Sequence, residues 1–342
     1  MTEAQQPIEM KALVDALGVR RLGATGPCEN LRTLTAGANK GTWSFDAPTA
    51  EGLQAFILQR AAPQGAPDPQ AQADDWVPRL DGTQEFKVML AADKAGVAVP
   101  HVRHILEADD QLGEGAVTGL IEGETLGVRI LRQPEFAAAR SAMAGQCGAI
   151  LAGIHKVPID SLAFLREFDA DATLALYRRS LVAADRPLPV LELALRWAQE
   201  RKPRHSRRTL VHGDFRTGNF IVGQEGIRAV LDWEIAHIGN PMEDLGYLCM
   251  RTWRFGGAGP VGGFGQRNDL CAAYEKACGI PVDVDDVRFW EVLGGMRWAI
   301  GCVRRAFGFR HETTRKLDFA AVGRRLEEPL YDILDVIEGR DA

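Results

Sequence analysis

The sequence has no paired cysteines. Cys28, Cys147, Cys249, Cys271, Cys278 and Cys302 are scattered, with no C-x-x-C spacing and no cluster with histidine. That pattern argues against a disulfide-stapled scaffold and a structural zinc site. It fits a reducing compartment, where thiols pack as small hydrophobes. No secretory leader is expected either: Met1 to Gln6 is polar, with no basic stretch followed by an apolar one. Long apolar runs are missing too. The longest uncharged helical stretch, 141–154, is too short to span a bilayer and carries Ser and Gln. Nor is positive charge in excess: the net charge is −6, whereas nucleic-acid binding needs a clustered basic surface. We therefore expect a cytoplasmic protein that binds neither membrane nor nucleic acid. No internal repeat is visible. What remains is an ordinary globular composition, 46% hydrophobic and 25% charged over 342 residues, enough for two lobes and a sizeable core.

The order of elements is more informative. Short β-suited runs at 30–34, 42–45 and 55–60 are separated by turns containing Gly or Pro. The stretch 61–81, rich in Pro, Ala, Gln and Asp, reads as a long surface loop. Phe86, Met89 and Leu90 predict a helix over 83–95, which Gly96 stops. Two more strands, 102–106 and 116–121, flank the acidic turn 107–115. Beyond Gly123 the pattern turns helical, at 136–155, 174–181, 190–197, 269–278, 287–306 and 317–337, with Pro329 expected to kink or split the last. One strand-rich island, 209–234, interrupts them. Five strands with one helix, followed by a helical part holding a hairpin, describe an α+β bilobal plan of the protein-kinase type. The lobes fall at 1–122 and 123–342, with a hinge over 118–123.

The chemistry concentrates in that island. Leu210-Val211-His212-Gly213-Asp214-Phe215-Arg216-Thr217-Gly218-Asn219 leads into Phe220-Ile221-Val222, and 227–231 returns to Asp232-Trp233-Glu234. A hairpin closing about Gly223-Gln224-Glu225-Gly226 is expected to set Asn219 opposite Asp232 on one face of the ladder. An amide oxygen and a carboxylate suit Mg2+, which prefers hard oxygen ligands and shares them with phosphates. Asp214, off the ladder, could accept a proton from an attacking hydroxyl, and Arg216 is the natural cation. Positioning and charge neutralisation are most of what phosphoryl transfer asks of a protein.

These motifs resemble the aminoglycoside phosphotransferase-like superfamily, with its H-G-D-x-x-x-x-N and following metal aspartate. The nearer likeness is to the kinase-like domain fused to some acyl-CoA dehydrogenases. It is carried by His212 to Asn219, by Val230-Leu231-Asp232-Trp233-Glu234 and by Gly239-Asn240-Pro241-Met242-Glu243-Asp244-Leu245-Gly246. The resemblance runs from Gly37 to the terminal helix. It implies ATP or GTP as phosphate donor, Asp214 as catalytic base, and Mg2+ bound by Asn219 and Asp232. It also implies Arg216 near the γ-phosphate and Asp244 bracing the catalytic loop. His212 is expected to support that loop, and His155 and His237 to pack or cap.

The first lobe departs from the pattern. The loop Thr35-Ala36-Gly37-Ala38-Asn39-Lys40-Gly41-Thr42 lies where a kinase covers its phosphates, so Gly37 and Lys40 are candidate nucleotide contacts. It has two glycines rather than G-x-G-x-x-G, and a plain hairpin turn reads equally well. The third strand, Phe56-Ile57-Leu58-Gln59-Arg60, lacks the expected lysine. Gln59 and Arg60 face opposite ways, and Arg60 is favoured because a neutral amide cannot offset phosphate charge. Glu85 would be its helix partner. Thr118, Gly119, Leu120 and Ile121 would contact adenine through the backbone.

On the acceptor side Arg251, Arg254, Arg297 and Arg304 suggest an anionic hydroxylated small molecule, and the resemblance to the dehydrogenase-fused branch implies a hydroxyacyl thioester. By default, arginines at the border of an apolar stripe snorkel to water; lining a pocket for an anion is the alternative. Trp253-Arg254-Phe255 and the Gly-rich 256–265 read either as a substrate-facing lid or as a loop without a role. Two alternatives stay open. The missing third-strand lysine fits a pseudokinase-like nucleotide-binding or scaffolding module with little turnover. An aromatic and acidic pocket would instead fit a choline- or homoserine-kinase-like enzyme. Homodimerisation is left open.

Overall fold

The computed structural model describes residues 5–34, 40–61, 77, 79–184, 186–203, 207–311 and 317–340. The chain divides into two units. One is Met1–Glu122 with Leu231–Ile235; the other is Gly123–Val230 with Ala236–Ala342.

The first unit is a five-stranded antiparallel sheet: β1 (Glu29–Leu34), β2 (Lys40–Thr49), β3 (Gly52–Ala61), β4 (Val102–Ile105) and β5 (Gly115–Gly119). Their order is β1-β2-β3-β5-β4. Where the sequence reading allowed one helix, the described residues hold two α-helices. The unread one, α1 (Gln5–Arg21), buries Val14 and Leu17 against Phe45, Ala47, Phe56, Leu58 and Val117. The other, α2 (Gly82–Lys94), starts at Asp81, whose carboxylate accepts from the Gln84 amide at 2.6 Å while the Gln84 side chain accepts back from Asp81. This reciprocal cap satisfies two donors that the first helical turn leaves open. Gly96, at φ +78°, ends the turn after α2 in a conformation that glycine adopts without steric cost. Most of the expected loop over 61–81 lies outside the described residues.

In β2 and β3, Phe45 faces Phe56 and Thr42 faces Gln59. Opposed residues share a face and successive residues alternate. Trp43, Phe45, Phe56, Leu58 and Arg60 therefore lie on the side that carries the α1 core, and Lys40, Thr42, Gln59 and Ala61 on the other.

The second unit is mostly helical. A small sheet joins Glu167–Phe168, His237–Gly239 and Thr209–Val211, and a separate hairpin pairs Phe220–Gly223 with Gly226–Val230. The helix Ala137–Ile154 packs on Arg267–Cys278 at Gly148, where an added Cβ would sit 2.5 Å from the Leu270 carbonyl oxygen. Met242–Cys249 packs on the long helix Val284–Arg310, whose expected apolar stripe is buried at Phe289, Leu293, Met296 and Ile300 and half-buried at Val303. The last predicted helix is split, as Leu317–Gly323 and Glu327–Ile337. The break precedes Pro329, which sits in the first turn of the second piece, where its missing N–H leaves no bond unmade. All six cysteines are free thiols. Among the described residues no helix is long and apolar enough to cross a membrane.

Candidate active site

The second unit holds the loop after Thr209–Val211. Its anchor is Asp244, fully buried near the start of the helix Met242–Cys249. One carboxylate oxygen accepts from the His212 amide at 2.9 Å, and the other accepts from the Gly213 amide at 2.8 Å. His155 Nε2 lies 3.1 Å from the first oxygen, and the Tyr274 hydroxyl lies 2.9 Å from His155 Nδ1. Burial pushes the Asp244 carboxyl up. The bond from His155 and the nearby His212 outweigh it and hold the group below the ordinary carboxylate range. Gly213 has φ +80°, which a side chain at that position would resist. The Asp214 amide then donates to His212 Nδ1 at 3.1 Å, so the imidazole supports the loop from within.

Asp214 is the focus of the polar side chains around it. Asn219 Nδ2 donates to its carboxylate at 2.7 Å and to its carbonyl at 2.9 Å. Arg216 Nε lies 3.1 and 3.2 Å from the two carboxylate oxygens, and its guanidinium stacks on the Trp253 ring at 4.3 Å. With its amide nitrogen turned to Asp214, Asn219 keeps its amide oxygen as a hard donor of the kind Mg2+ takes. Thr217 donates to the Gly262 carbonyl at 2.8 Å, tying the Gly-rich segment to this loop.

The hairpin does not close in the expected register. Phe220 faces Val230, with a bulge between Ile221 and Val222, and the ladder ends there. Asn219 and Asp232 therefore do not oppose one another across it. Asp232 leaves the strand with φ +66°, a left-handed conformation that Asp tolerates better than most side chains.

The first unit carries a second constellation. Lys40 Nζ lies 2.6 Å from Glu85 Oε2 and 2.8 Å from Oε1, 3.4 Å from Asp232 and 3.8 Å from Glu234. Burial alone would lower the Lys40 pKa; Glu85, Asp232 and Glu234 overcome it and raise it. Burial raises the Glu85 carboxyl, with Lys40 opposing. Asp232 offers a second hard oxygen donor. Glu234 is fixed by Arg79 at 2.8 Å and by its carbonyl, which accepts from the Leu80 amide.

Several expectations change here. The cation on Glu85 is Lys40, not Arg60. Arg60 points to the α1 side of the sheet, with its guanidinium 5.8 Å from the Trp43 ring. Alternation along β3 explains this, because the residue after Gln59 must face the other way. Gly37 lies outside the described residues. Thr118 is buried in the ladder, while the amides of Gly119 and Leu120 donate to the His101 and Ala55 carbonyls, so neither donor is left for a nucleotide. Ile121 follows them beyond the strand.

The four acceptor-side arginines do not form an open cationic wall. Arg297 is buried: it donates to the Gly213 carbonyl, lies 3.3 Å from Glu243 and stacks on Tyr247 at 4.2 Å. It braces the loop that carries Asp214. Arg254 donates to the Cys249 carbonyl and lies 3.8 Å from Glu291. Arg251 lies 3.9 Å from Asp332 and 3.7 Å from Asp335. Arg304 is half-buried, and burial lowers its pKa. Beside Trp253 runs a groove of about 680 Å³ lined by Phe255, Trp298, Tyr331, Glu327 and Asp332 among others. Burial pushes the Asp332 carboxyl up to about 6, against the pull of Arg251 and Arg254. Sequence reasoning missed Trp253 as the seat of Arg216, and it missed His155 as a partner of Asp244. The contacts join residues 37 and 89 positions apart, which no local pattern signals.

The sequence profile of the phosphotransferase enzyme family, APH, matches residues 34–280, well over half of the chain. Acyl-CoA dehydrogenase family member 10 of Mus musculus is 29% identical over 205 residues, covering 57% of this chain and 18% of that protein. The chain thus spans less than a fifth of that relative's length. A crystal structure from Ralstonia eutropha, provisionally assigned as an aminoglycoside phosphotransferase, superposes with a TM-score of 0.74 at 18% identity, covering 96% of this chain and 98% of the other. The streptomycin–ATP ternary complex of APH(2")-IIa gives 0.54 at 16% identity, with 87% and 93% covered. These likenesses establish a kinase-like fold.

Proposed function

The chain belongs to the phosphotransferase enzyme family, and on that footing we propose that it moves the γ-phosphate of ATP to a hydroxyl of a small molecule, with Asp214 as general base. The observation that carries the reading is the Asp214 carboxylate, held at 2.7 Å by Asn219 and at 3.1 Å by Arg216 in a loop fixed on buried Asp244. Asp214 accepts the proton of the attacking hydroxyl, which raises the nucleophilicity of the oxygen as the new bond forms. Asn219 orients the carboxylate. Arg216, seated on Trp253, releases Asp214 and turns to the transferring phosphoryl group. Asn219 and Asp232 would hold Mg2+, which supplies charge neutralisation on the nucleotide phosphates when bound.

For the acceptor, the acyl-CoA dehydrogenase name of the mouse relative supports a hydroxyacyl thioester as the first class to assay. A second reading has its own support. The groove beside Trp253 is aromatic, and its carboxylates Glu327, Glu328 and Asp332 outnumber Arg251 and Arg325. Such a lining favours a cationic or zwitterionic alcohol over an anion.

Phosphate transfer from ATP and GTP to hydroxyacyl thioesters, amino alcohols and aminoglycosides tests the reading, with Asp214→Asn alongside. Asp214→Asn should keep Mg·ATP binding and lose about 10²–10⁴-fold in transfer, the usual worth of a general base. Unchanged transfer removes Asp214 from that role. A wild-type chain that binds Mg·ATP but phosphorylates no alcohol supports the pseudokinase alternative.

A further inference from the structure

Phosphate-binding sites of this plan pair a third-strand lysine with a helix glutamate, and here the third strand has none. Gln59 stands in the place and cannot carry charge; Arg60 follows it but faces the α1 core. The helix glutamate is nonetheless present, buried and ion-paired. Its partner comes from another strand. We infer that Lys40, at the start of β2, has taken over the phosphate-pairing role that the third strand gave up. The inference rests on the phosphotransferase reading and assigns its nucleotide-side cation.

The sheet register makes the exchange possible. Thr42 faces Gln59 across the ladder, and Lys40, two residues before Thr42, shares its face. Lys40 and Gln59 are therefore diagonal neighbours, roughly 7–8 Å apart between backbones, a gap that a four-carbon side chain spans. The ammonium reaches Glu85 at 2.6 Å, and the nearby Asp232 at 3.4 Å is the proposed Mg2+ ligand. A lysine placed only to neutralise Glu85 would need one carboxylate. This one sits among three, Glu85, Asp232 and Glu234. Glu85 thus holds the ammonium beside Asp232, the carboxylate proposed to take the metal ion.

Calorimetric binding of Mg·ATP and of adenosine to the full chain provides the test. Lys40→Met should weaken Mg·ATP about 10- to 100-fold, the loss of one charge-assisted hydrogen bond, and leave adenosine within about twofold. Arg60→Met should bind both as wild type does. Lys40→Met with Gln59→Lys returns a cation to Glu85 from the diagonal position and should recover most of the Mg·ATP affinity. That double variant keeps the question open to refutation if the single one fails to fold. A folded double variant that does not recover binding overturns the inference, as does an unchanged Mg·ATP affinity in Lys40→Met. A wild-type chain that binds no Mg·ATP overturns this inference and the phosphotransferase reading together.

Discussion

Removing the Asp244 carboxylate should cost more stability than most single substitutions, and the structure sets the size. Asp244→Ala leaves three donors without an acceptor: the His212 amide, the Gly213 amide and His155. A hydrogen bond to a charged group contributes about 1.5–3 kcal/mol, and an orphaned buried donor costs about 1–3 kcal/mol. The three share one acceptor and relax together, so their losses do not simply add. Breaking a buried charged cluster from one side typically costs about 3–5 kcal/mol, a large part of a domain's ~5–15 kcal/mol. Urea unfolding of the full chain, followed by tryptophan fluorescence, measures it. Asp244→Asn should fall between, because the amide keeps one oxygen. The pH dependence carries a sign. The folded-state pKa of Asp244 lies below its ordinary value, so its stabilisation is complete above the unfolded value of about 4 and fades as pH falls through the lowered one. The gap between wild type and Asp244→Asn must therefore narrow on acidification below about pH 4. A loss under about 1 kcal/mol for Asp244→Ala, below the range for one such bond, or a gap that widens in acid would refute the bracing argument.

Arg297→Met should lower the urea midpoint by the equivalent of about 3–5 kcal/mol, because it strands the Gly213 carbonyl and the buried Glu243. An unchanged midpoint would return Arg297 to the acceptor side. Gly148→Ala should lower Tm although alanine is the better helix former by about 1 kcal/mol. Its Cβ would lie 2.5 Å from the Leu270 carbonyl oxygen and 2.7 Å from the Tyr274 amide nitrogen. Overpacking of this kind costs about 1–3 kcal/mol, and an equal or higher Tm would show that the two helices can part.

Elements whose signal is local were legible. The helix at Gly82–Lys94 carries its own cap and stop, and the strands at 29–34, 52–61 and 115–119 emerge from short β-suited runs between turns. The helix Gln5–Arg21 was not legible. Its buried side comes down to residues such as Val14 and Leu17, and its hold on the sheet is long-range. The hairpin register differs because the turn closes tightly, with Gly223 opposite Gly226; the bulge between Ile221 and Val222 recovers only one of the two residues that pairing Asn219 with Asp232 would need. Arg60 was chosen over Gln59 on charge alone. Alternation from the β2–β3 pairing decides against it, but that argument needs the register, which the sequence does not display.

The same distinction governs the catalytic loop. Motif spacing brought Asp214, Arg216 and Asn219 to notice, because they lie within six residues of one another. What holds Asp214 still comes from elsewhere. Asp244 takes the His212 and Gly213 amides, Arg297 takes the Gly213 carbonyl, His155 at the end of the helix Ala137–Ile154 reaches Asp244, and Tyr274 from a further helix holds His155. Gly213 is gripped by Asp244 and Arg297 in a backbone conformation, φ +80°, that glycine adopts without steric cost. The Asp214 carboxylate is thus positioned by a relay of buried charged and polar groups. Substitutions in that relay should lower transfer through the placement of Asp214, and a conservative replacement that restores the hydrogen bonds should restore the rate.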